Sequence, residues 1–469
     1  MSFFRFFELP RELRDLIYEE YVFIDGGYVF NLACWKLRDV SKPKHAFGLQ
    51  RTCKAVHAEM EGLALRHNTI TFSTQLNRWE GMRALRLEKV LCNGHITVFD
   101  GQIRKLWSLR DRIEDSVRED VARRYPCFLP HLDWLRGPHN PDVDLGYDDR
   151  YKIYDHLGER PSLFREYVCH VLESFPPGDY IEKLWIIPSD ASIYKTALGL
   201  ESLYRLKAGR EIRDMLEHWR CMGNGWSRYR FSAAAYAIAF LDRYPSFRQH
   251  MRKIVLNEDF ASVAHPECHG QGLIRFCAEN SRLRIERHVD VFDTVFPNLE
   301  SRYYTPSVRR FPVPADPTGK IGVWISEALA LPPTISLVFV GGNYPMDCKH
   351  IFSTRIVREA RCRDALEEAC ARGILSPPGP MERFPLLSPA FPGPKGGCFF
   401  KGVAKAIWNM VENKNSETGR VRCDFDPGSS WDVEDVIKGR YSWSSDEWLN
   451  SGNWSAFNDL RGSRTILSP

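Results

Sequence analysis

Near the start of the chain the apolar residues recur at helical spacing. In "FFELPRELRDLIYEEYVF" (Phe6–Phe23), Leu13, Leu16, Ile17 and Tyr21 form one stripe, and Arg11, Glu12, Arg14, Asp15, Glu19 and Glu20 take the remaining face. Pro10 suits the first helical position, where its missing N–H costs nothing. "DGG" (Asp25–Gly27) should stop the helix, since glycine accepts positive φ. A second stripe, Leu49, Cys53, Val56, Met60, Leu63 and Ala64, predicts one amphipathic helix over Leu49–Asn68. "NTITFST" (Asn68–Thr74) alternates Ile70 and Phe72 with threonines, as a short strand does. Ile103, Leu106, Ile113, Val117 and Val121 predict a third helix over Ile103–Pro126. The stretch Pro130–Pro161, rich in Pro, Gly, Asp and His, reads as a long connection and a domain boundary.

Further on, "IEKLWIIPSD" (Ile181–Asp190), "MRKIVLNED" (Met251–Asp259) and "PTISLVFVGG" (Pro333–Gly342) each read as a buried strand ending in a polar or glycine turn. "SRLRIERHVDVF" (Ser281–Phe292) reads as another strand, with Leu283 and Ile285 inward. Helices separate them: Tyr194–Trp219, and "AAAYAIAFL" (Ala233–Leu241) as a buried core helix. The three strands recur at about 70 to 80 residues, too long and irregular for a standard solenoid period. Strands alternating with helices favour a mixed or partly parallel sheet. Leu375–Gly397 holds seven prolines, which neither a helix nor a central strand tolerates, so it reads as a linker or long loop. The Trp-rich segment beyond it (Trp431, Trp443, Trp448, Trp454) reads as folded.

Composition sharpens this picture only in part. The 469 residues suffice for two or three cores, and 43% hydrophobic with 26% charged residues is ordinary for a globular chain. A net charge of +4 gives no reason to expect a polyanion, so neither nucleic acid nor a membrane is an expected partner. Arg5 and Glu8 interrupt the first apolar run before a signal peptide can form, and the nine-residue run Ala233–Leu241 is too short to span a bilayer. The 13 cysteines follow no repeated spacing and read as free thiols, mostly buried. A soluble cytoplasmic or nuclear protein is expected.

The first two stripes, taken together, carry a sharper signal. "ELPRELRDLIYEEYV" followed by "LQRTCKAVHAEMEGLALRHNTITF" resembles the amino-terminal module of fungal F-box-like proteins, including the EXR-type variants. The matching residues are Leu9, Pro10, Glu12, Leu13, Arg14, Ile17 and Tyr18, then Leu49, Arg51, Thr52, Cys53, Glu59, Asn68 and Phe72, within the first 75 residues. The resemblance implies that the module presents spaced apolar anchors to the Skp-type adaptor of a cullin–RING ubiquitin ligase. Carried over by position, the adaptor-docking residues are Leu9, Pro10, Leu13, Ile17, Leu49, Cys53 and Val56. The long insert Ile24–Gly48, and the lack of a Trp near the end of the second helix, depart from an ordinary F-box. The alternative is that Leu13, Leu16 and Ile17 pack inward as core.

Candidate chemistry elsewhere is sparse. His265, Cys268, His269 and Cys277 offer nitrogen and sulfur ligands for zinc, but without paired Cys-x2-Cys spacing they read as packed or hydrogen-bonded turn residues. Glu258 and Asp259 lie at a strand end, where paired carboxylates could do acid–base work; as nothing accompanies them, they read as solvated or as caps of the following segment. "GPKGG" (Gly393–Gly397) lacks P-loop spacing, and Arg282, Arg284 and Arg287, alternating with Glu286, read as one strand face.

The sequence therefore predicts an α+β (mixed α/β) fold. An F-box-like helical module over 1–75 leads through a helical connector at 76–130 to an irregular strand/helix domain at 131–375, with a degenerate leucine-rich-like array as one form that domain could take. A Pro-rich linker at 376–397 and a Trp-rich segment at 398–469 follow. The function read from it is protein interaction rather than catalysis: a substrate-recognition subunit with a Skp-type adaptor and an unidentified target as partners, and no cofactor or metal. The alternatives are an interaction protein without a ligase role and an enzyme using the Glu258 region. Exposure of Leu13 and Ile17 would favour docking; their burial would favour a purely structural role.

Overall fold

The structure, a computed structural model, describes residues 6–40, 48–93, 96–138, 157–175, 183–193, 195–196, 227–296, 317–375, 400–414, 416, 419–440 and 442–443. Most of the helix expected over Tyr194–Trp219, the proline-rich stretch beyond Leu375, and Trp448 and Trp454 fall outside them.

Nine strands are formed by these residues: β1 (Tyr28–Asn31), β2 (Lys36–Asp39), β3 (Thr69–Ser73), β4 (Cys92–Asn93), β5 (Ile96–Thr97), β6 (Lys253–Glu258), β7 (Arg284–Asp290), β8 (Ile335–Val340) and β9 (Val421–Cys423). β4 and β5 pair with each other, and the other seven make one sheet in the order β2-β1-β3-β6-β7-β8-β9. β2 is antiparallel to β1, and every other pairing is parallel. The fold is thus mixed α/β, as the alternation of strand and helix patterns predicts. From β1 to β9 the order advances with the sequence and never turns back.

That monotonic order has a physical consequence. Right-handed crossovers that always step in one direction leave their helices on one face of the sheet. The burial pattern agrees. Ile70 and Phe72, Ile254 and Leu256, Ile285 and Val289, Leu337 and Phe339 are buried, while Thr71, Val255, Glu286 and Ser336 between them stay partly open. Register aligns the buried residues in rows across the strands, such as Ile70–Ile254–Ile285–Ile335. Parallel sheets normally read as continuous apolar runs because both faces are covered; this one alternates like a sheet covered on one side.

Three main cores result. The largest joins the N-terminal helix, β1, β3, β6 and the Ala233–Arg243 helix, where Phe30, Phe72, Tyr236 and Phe240 meet at ring-centroid distances of 5.2–6.0 Å. The second packs the Pro317–Leu329 and Val403–Glu412 helices on β8 and β9. The third lies inside a helical unit (Val98–Leu109, Asp115–Arg124, Leu129–Leu135, Pro161–Glu173) inserted between β3 and β6. Residues 28–73 supply three strands to the common sheet, so the N-terminal stretch shares its core with residues near 231–285 rather than standing apart.

Several expected elements are revised. The helix expected over Leu49–Asn68 breaks into a 3-10 turn (Leu49–Arg51) and two short helices, Lys54–Glu59 and Leu63–His67. The break falls at Gly62, in the left-handed region at φ 67°, where a Cβ would sit 2.2 Å from the His250 ring. The helix expected over Ile103–Pro126 divides at Ile113, although Ile103, Leu106, Ile113 and Val121 are buried as the stripe requires. The connection expected over Pro130–Pro161 opens inside a helix, Leu129–Leu135. Lys183–Ser189, expected within a strand, forms turns whose Leu184 and Trp185 pack on the largest core. Gly26 and Gly27 do not stop the first helix, which ends at Val22. They form the turn into β1, and a Cβ on Gly27 would lie 2.2 Å from the Thr69 carbonyl oxygen.

Two buried glutamates fasten helices to this framework. The Ala233–Arg243 helix is apolar nearly all round, so its first amides cannot reach water and must find acceptors within the protein. Ala233 and Ala234 N–H donate to the two carboxylate oxygens of Glu258 (2.9 and 3.1 Å). Ala235 N–H donates to Ser232 Oγ (3.0 Å) and Tyr236 N–H to the Ser232 carbonyl (3.2 Å). Glu258 is 0% exposed and ion-paired with Arg287 at 3.2 Å. The Arg287 guanidinium in turn lies 5.1 Å from the Trp324 ring centroid and donates to the Pro266 and Glu267 carbonyls. Glu327 repeats the device, accepting from Ser162 N–H and Oγ–H (2.8 and 2.6 Å) at the start of the Pro161–Glu173 helix, and so anchors the inserted unit.

Replacing Glu258 with Ala would leave Arg287 buried without its counter-charge and two helix amides without acceptors. Chemical denaturation is expected to show a loss of about 3–5 kcal/mol, against less than about 0.5 kcal/mol for the exposed control Lys253→Ala.

Candidate functional site

The Arg11–Val22 helix starts directly after Pro10, which sits at the N-cap in an extended conformation (ψ 149°), one position earlier than its sequence suggests. Its carbonyl accepts from Leu13 and Arg14 N–H. Two stripes run along this helix. Arg14, Tyr18 and Val22, spaced by four, face the protein, and Tyr18 and Val22 are buried. Leu13, Leu16 and Ile17 face away, at 46%, 61% and 42% exposure, and Phe7 and Phe23 are exposed before and after them. The more apolar stripe is therefore the outer one.

Polar contacts enforce this orientation. The Arg14 guanidinium donates to both Glu59 oxygens (Nε 3.1 Å, Nη2 2.7 Å), and Tyr18 Oη–H donates to Glu59 Oε2 (2.8 Å). Arg14 also reaches back to the Leu9 carbonyl (2.6 Å), and Arg11 lies 3.2 Å from Glu59. Tyr18 packs its ring on Phe6 at 5.5 Å. At the far end Asn68, buried, accepts from Ile24 N–H and donates to the Val22 and Ala64 carbonyls, closing the helix onto the Leu63–His67 helix and β3. The bidentate Arg14 contact holds the Glu59 carboxyl down at about 2, with burial opposing and Tyr18 assisting.

The seven docking candidates divide accordingly. Pro10, Leu13 and Ile17 are exposed, and Leu9 is half-buried beside them. Leu49 is half-buried against the largest core, and Tyr21 Oη accepts from its N–H (3.1 Å). Cys53 is exposed, but its sulfur takes the N-cap role, accepting from Val56 N–H at 3.5 Å. Val56 is a core residue at 3% exposure. Of the seven, the accessible apolar residues thus lie on the first helix or just before it, where Leu16 on the helix and Phe7 and Phe23 flanking it, which the docking set omits, are exposed as well. The matching residues Arg14, Tyr18, Glu59 and Asn68 form the frame that turns that surface outward.

The other candidates resolve into structural roles. His269 Nε2–H donates to the Ala264 carbonyl (2.7 Å), which leaves Nδ1 to accept from Ser232 Oγ–H (2.6 Å); burial holds this imidazole down at about 3. Cys268 Sγ–H donates to the His265 carbonyl, and burial pushes the thiol up. His265 pairs with Glu267 at the surface, and Cys277 lies in the largest core. Among the described residues no group of three or more His, Cys, Asp or Glu is placed to hold a metal. Glu258 is buried rather than solvated, and it caps a helix that precedes it in the chain rather than the segment that follows. Asp259 accepts from Thr74 N–H and Oγ–H, tying the ends of β3 and β6 together. Arg287, assigned with Arg282 and Arg284 to one strand face, lies on the opposite, buried face. No helix among the described residues is long and apolar enough to cross a membrane.

Comparison with family models, with curated proteins and with solved structures finds no match.

Glu59 ordinarily titrates near 4.5, so its depressed folded value stabilises the helix dock above that pH, and the contribution disappears as pH falls toward 2. Thermal unfolding should therefore separate wild type from Glu59→Gln at neutral pH, with the two midpoints converging as the pH is lowered through this window.

Proposed function

We propose that this protein is a substrate-recognition subunit of a cullin–RING ubiquitin ligase, docking a Skp-type adaptor through Leu9, Pro10, Leu13, Leu16 and Ile17. The observation that carries the reading is the outward stripe Leu13–Leu16–Ile17, held on a helix whose polar residues face inward. An apolar stripe that a fold fixes toward solvent costs solubility and calls for a partner. Residues three and four apart on one helix are the anchor spacing that helix-in-groove recognition uses. Exposed Glu12 and Glu20 rim the stripe and would set orientation rather than affinity. The sheet and its helices then serve as the platform for a target protein.

A second reading, an interaction protein without a ligase role, is favoured by one observation. Val56 and Met60, on the segment that matches the second helix of the family, belong to the core, so only one helix remains for docking.

The Leu13→Asp and Ile17→Asp variants separate the possibilities. Both should fold with stability within about 0.5 kcal/mol of wild type and lose capture of a purified Skp-type adaptor, whereas Val56→Ala should cost ~2 kcal/mol in the core. Wild-type protein that fails to bind adaptor under conditions where a standard F-box protein binds would rule out the ligase reading. Aspartate variants that unfold would show that the stripe is core.

A further inference from the structure

The sheet face opposite the helices is polarised along the strands. At the starts of β6 and β7, Lys253 and Arg284 stand opposite each other in register, and on β9 Arg422 stands opposite Val338, with Arg420 just before the strand. The residues leading into the strands extend the row: Arg66 before β3, His250 and Arg252 before β6, Arg282 before β7. Arg66 Nη2 lies 3.2 Å from His250 Nδ1, and the Arg252 guanidinium is lowered by burial and by its neighbours Arg282 and Arg66. The far ends of the same strands carry Asp259, Asp290 and Asp424 instead.

The two ends differ in how their charges are answered. Asp259 accepts from Thr74, Asp290 from Phe292 and Asp293 N–H, and Asp424 from Gly341 N–H. At the basic end Glu286 sits between Lys253 (3.4 Å), His288 (3.3 Å) and Arg422 (3.6 Å). Among the described residues Arg66, Arg252, Arg282, Arg284 and Arg420 have no carboxylate within ion-pair distance. Arg252 and Arg284 turn their Nη1 donors to nearby carbonyls. Burial alone lowers Arg420. A chain with a net charge of only +4 thus concentrates unanswered cations along one edge.

We propose that this edge binds an acidic peptide segment of a partner protein, laid across the starts of β6 to β9. Neighbouring strands stand about 4.8 Å apart; β6 and β7 carry bases side by side and β9 brings two more, on the strand and just before it, with none at the start of β8, so an extended peptide can set its carboxylates on the bases at either end of the row. Guanidinium forks match carboxylates bidentately. Glu286 shows the arrangement in miniature, one carboxylate gathering three bases. The same carboxylate in the middle of the row disfavours the continuous phosphate backbone of a nucleic acid. In the reading above this partner is the ligase target; the binding itself does not depend on adaptor docking.

The full chain is titrated with a fluorescent poly-glutamate peptide, read by anisotropy. Wild type should bind with an affinity that falls as salt rises. The double variant Arg282→Glu, Arg284→Glu should bind at least about tenfold more weakly with its thermal midpoint unchanged; if it fails to fold, Arg282→Gln, Arg284→Gln replaces it and should show a smaller loss in the same direction. Equal affinity for wild type and folded variant would overturn the proposal. So would tighter binding of a single-stranded oligonucleotide or of anionic vesicles, or self-association that the same variant abolishes. Adaptor capture without peptide binding would overturn this inference alone; peptide binding by Leu13→Asp protein is expected, and peptide binding by a wild type that ignores the adaptor would overturn the earlier reading alone.

Discussion

The Ala233–Arg243 helix is too apolar to lie anywhere but inside, and a helix inside must have its first amides answered from within the protein. Glu258 does this with two oxygens at once, and Arg287 neutralises the charge that the answer requires. Because Glu258 ends one strand of the sheet and Arg287 lies in the next, the pair fixes the height of the helix against two neighbouring strands. Ser232, by capping the same helix and donating to His269, links it to the turn after β6. Four polar side chains thereby set the position of the helix whose Tyr236 and Phe240 pack on Phe30 and Phe72 of the sheet.

The one-way order of the strands shapes what the molecule can offer to others. In doubly wound sheets the reversal of strand order opens a crevice where ligands bind. Among the described residues no reversal occurs from β1 to β9, so these strands open no such crevice. What the fold presents instead are surfaces: an apolar helix stripe held outward by the Arg14–Glu59–Tyr18 contacts, and a half-open sheet face with its charges sorted by strand end.

Much of this was legible in the sequence. β3, β6, β7 and β8 lie where alternating or continuous apolar runs place them, and the Ala233 helix is as buried as its composition demands. The breaks were harder to see. Gly62 reads as one unfavourable residue in a helical pattern until His250, remote in sequence, is known to occupy the space above it. The direction of the first helix was undecidable from periodicity, because its outer stripe is the more apolar. The deciding contact, Arg14 and Tyr18 on Glu59, joins side chains more than 40 residues apart. Likewise Glu258 reads as solvated in sequence because two of its partners, the Ala233 and Ala234 N–H groups, are backbone amides that no side-chain motif reveals, and the third, Arg287, lies 29 residues on in the next strand.

The inserted helical unit carries a consequence for how the chain assembles. β3 and β6 are central neighbours in the sheet, yet Thr74 and Asp259, which join their ends, are 185 residues apart. The equilibrium cost of closing so long a loop is modest, growing by only about 0.6 kcal/mol for each doubling of length. The order of events is constrained far more. During synthesis the β1–β3 edge must wait, unpaired on one side, until more than half of the chain has emerged, while the helices between Val98 and Glu173 can already pack on one another. An open parallel edge waiting that long is a site for errant strand pairing, so the newborn protein's hazard lies in the very strands that later form its centre.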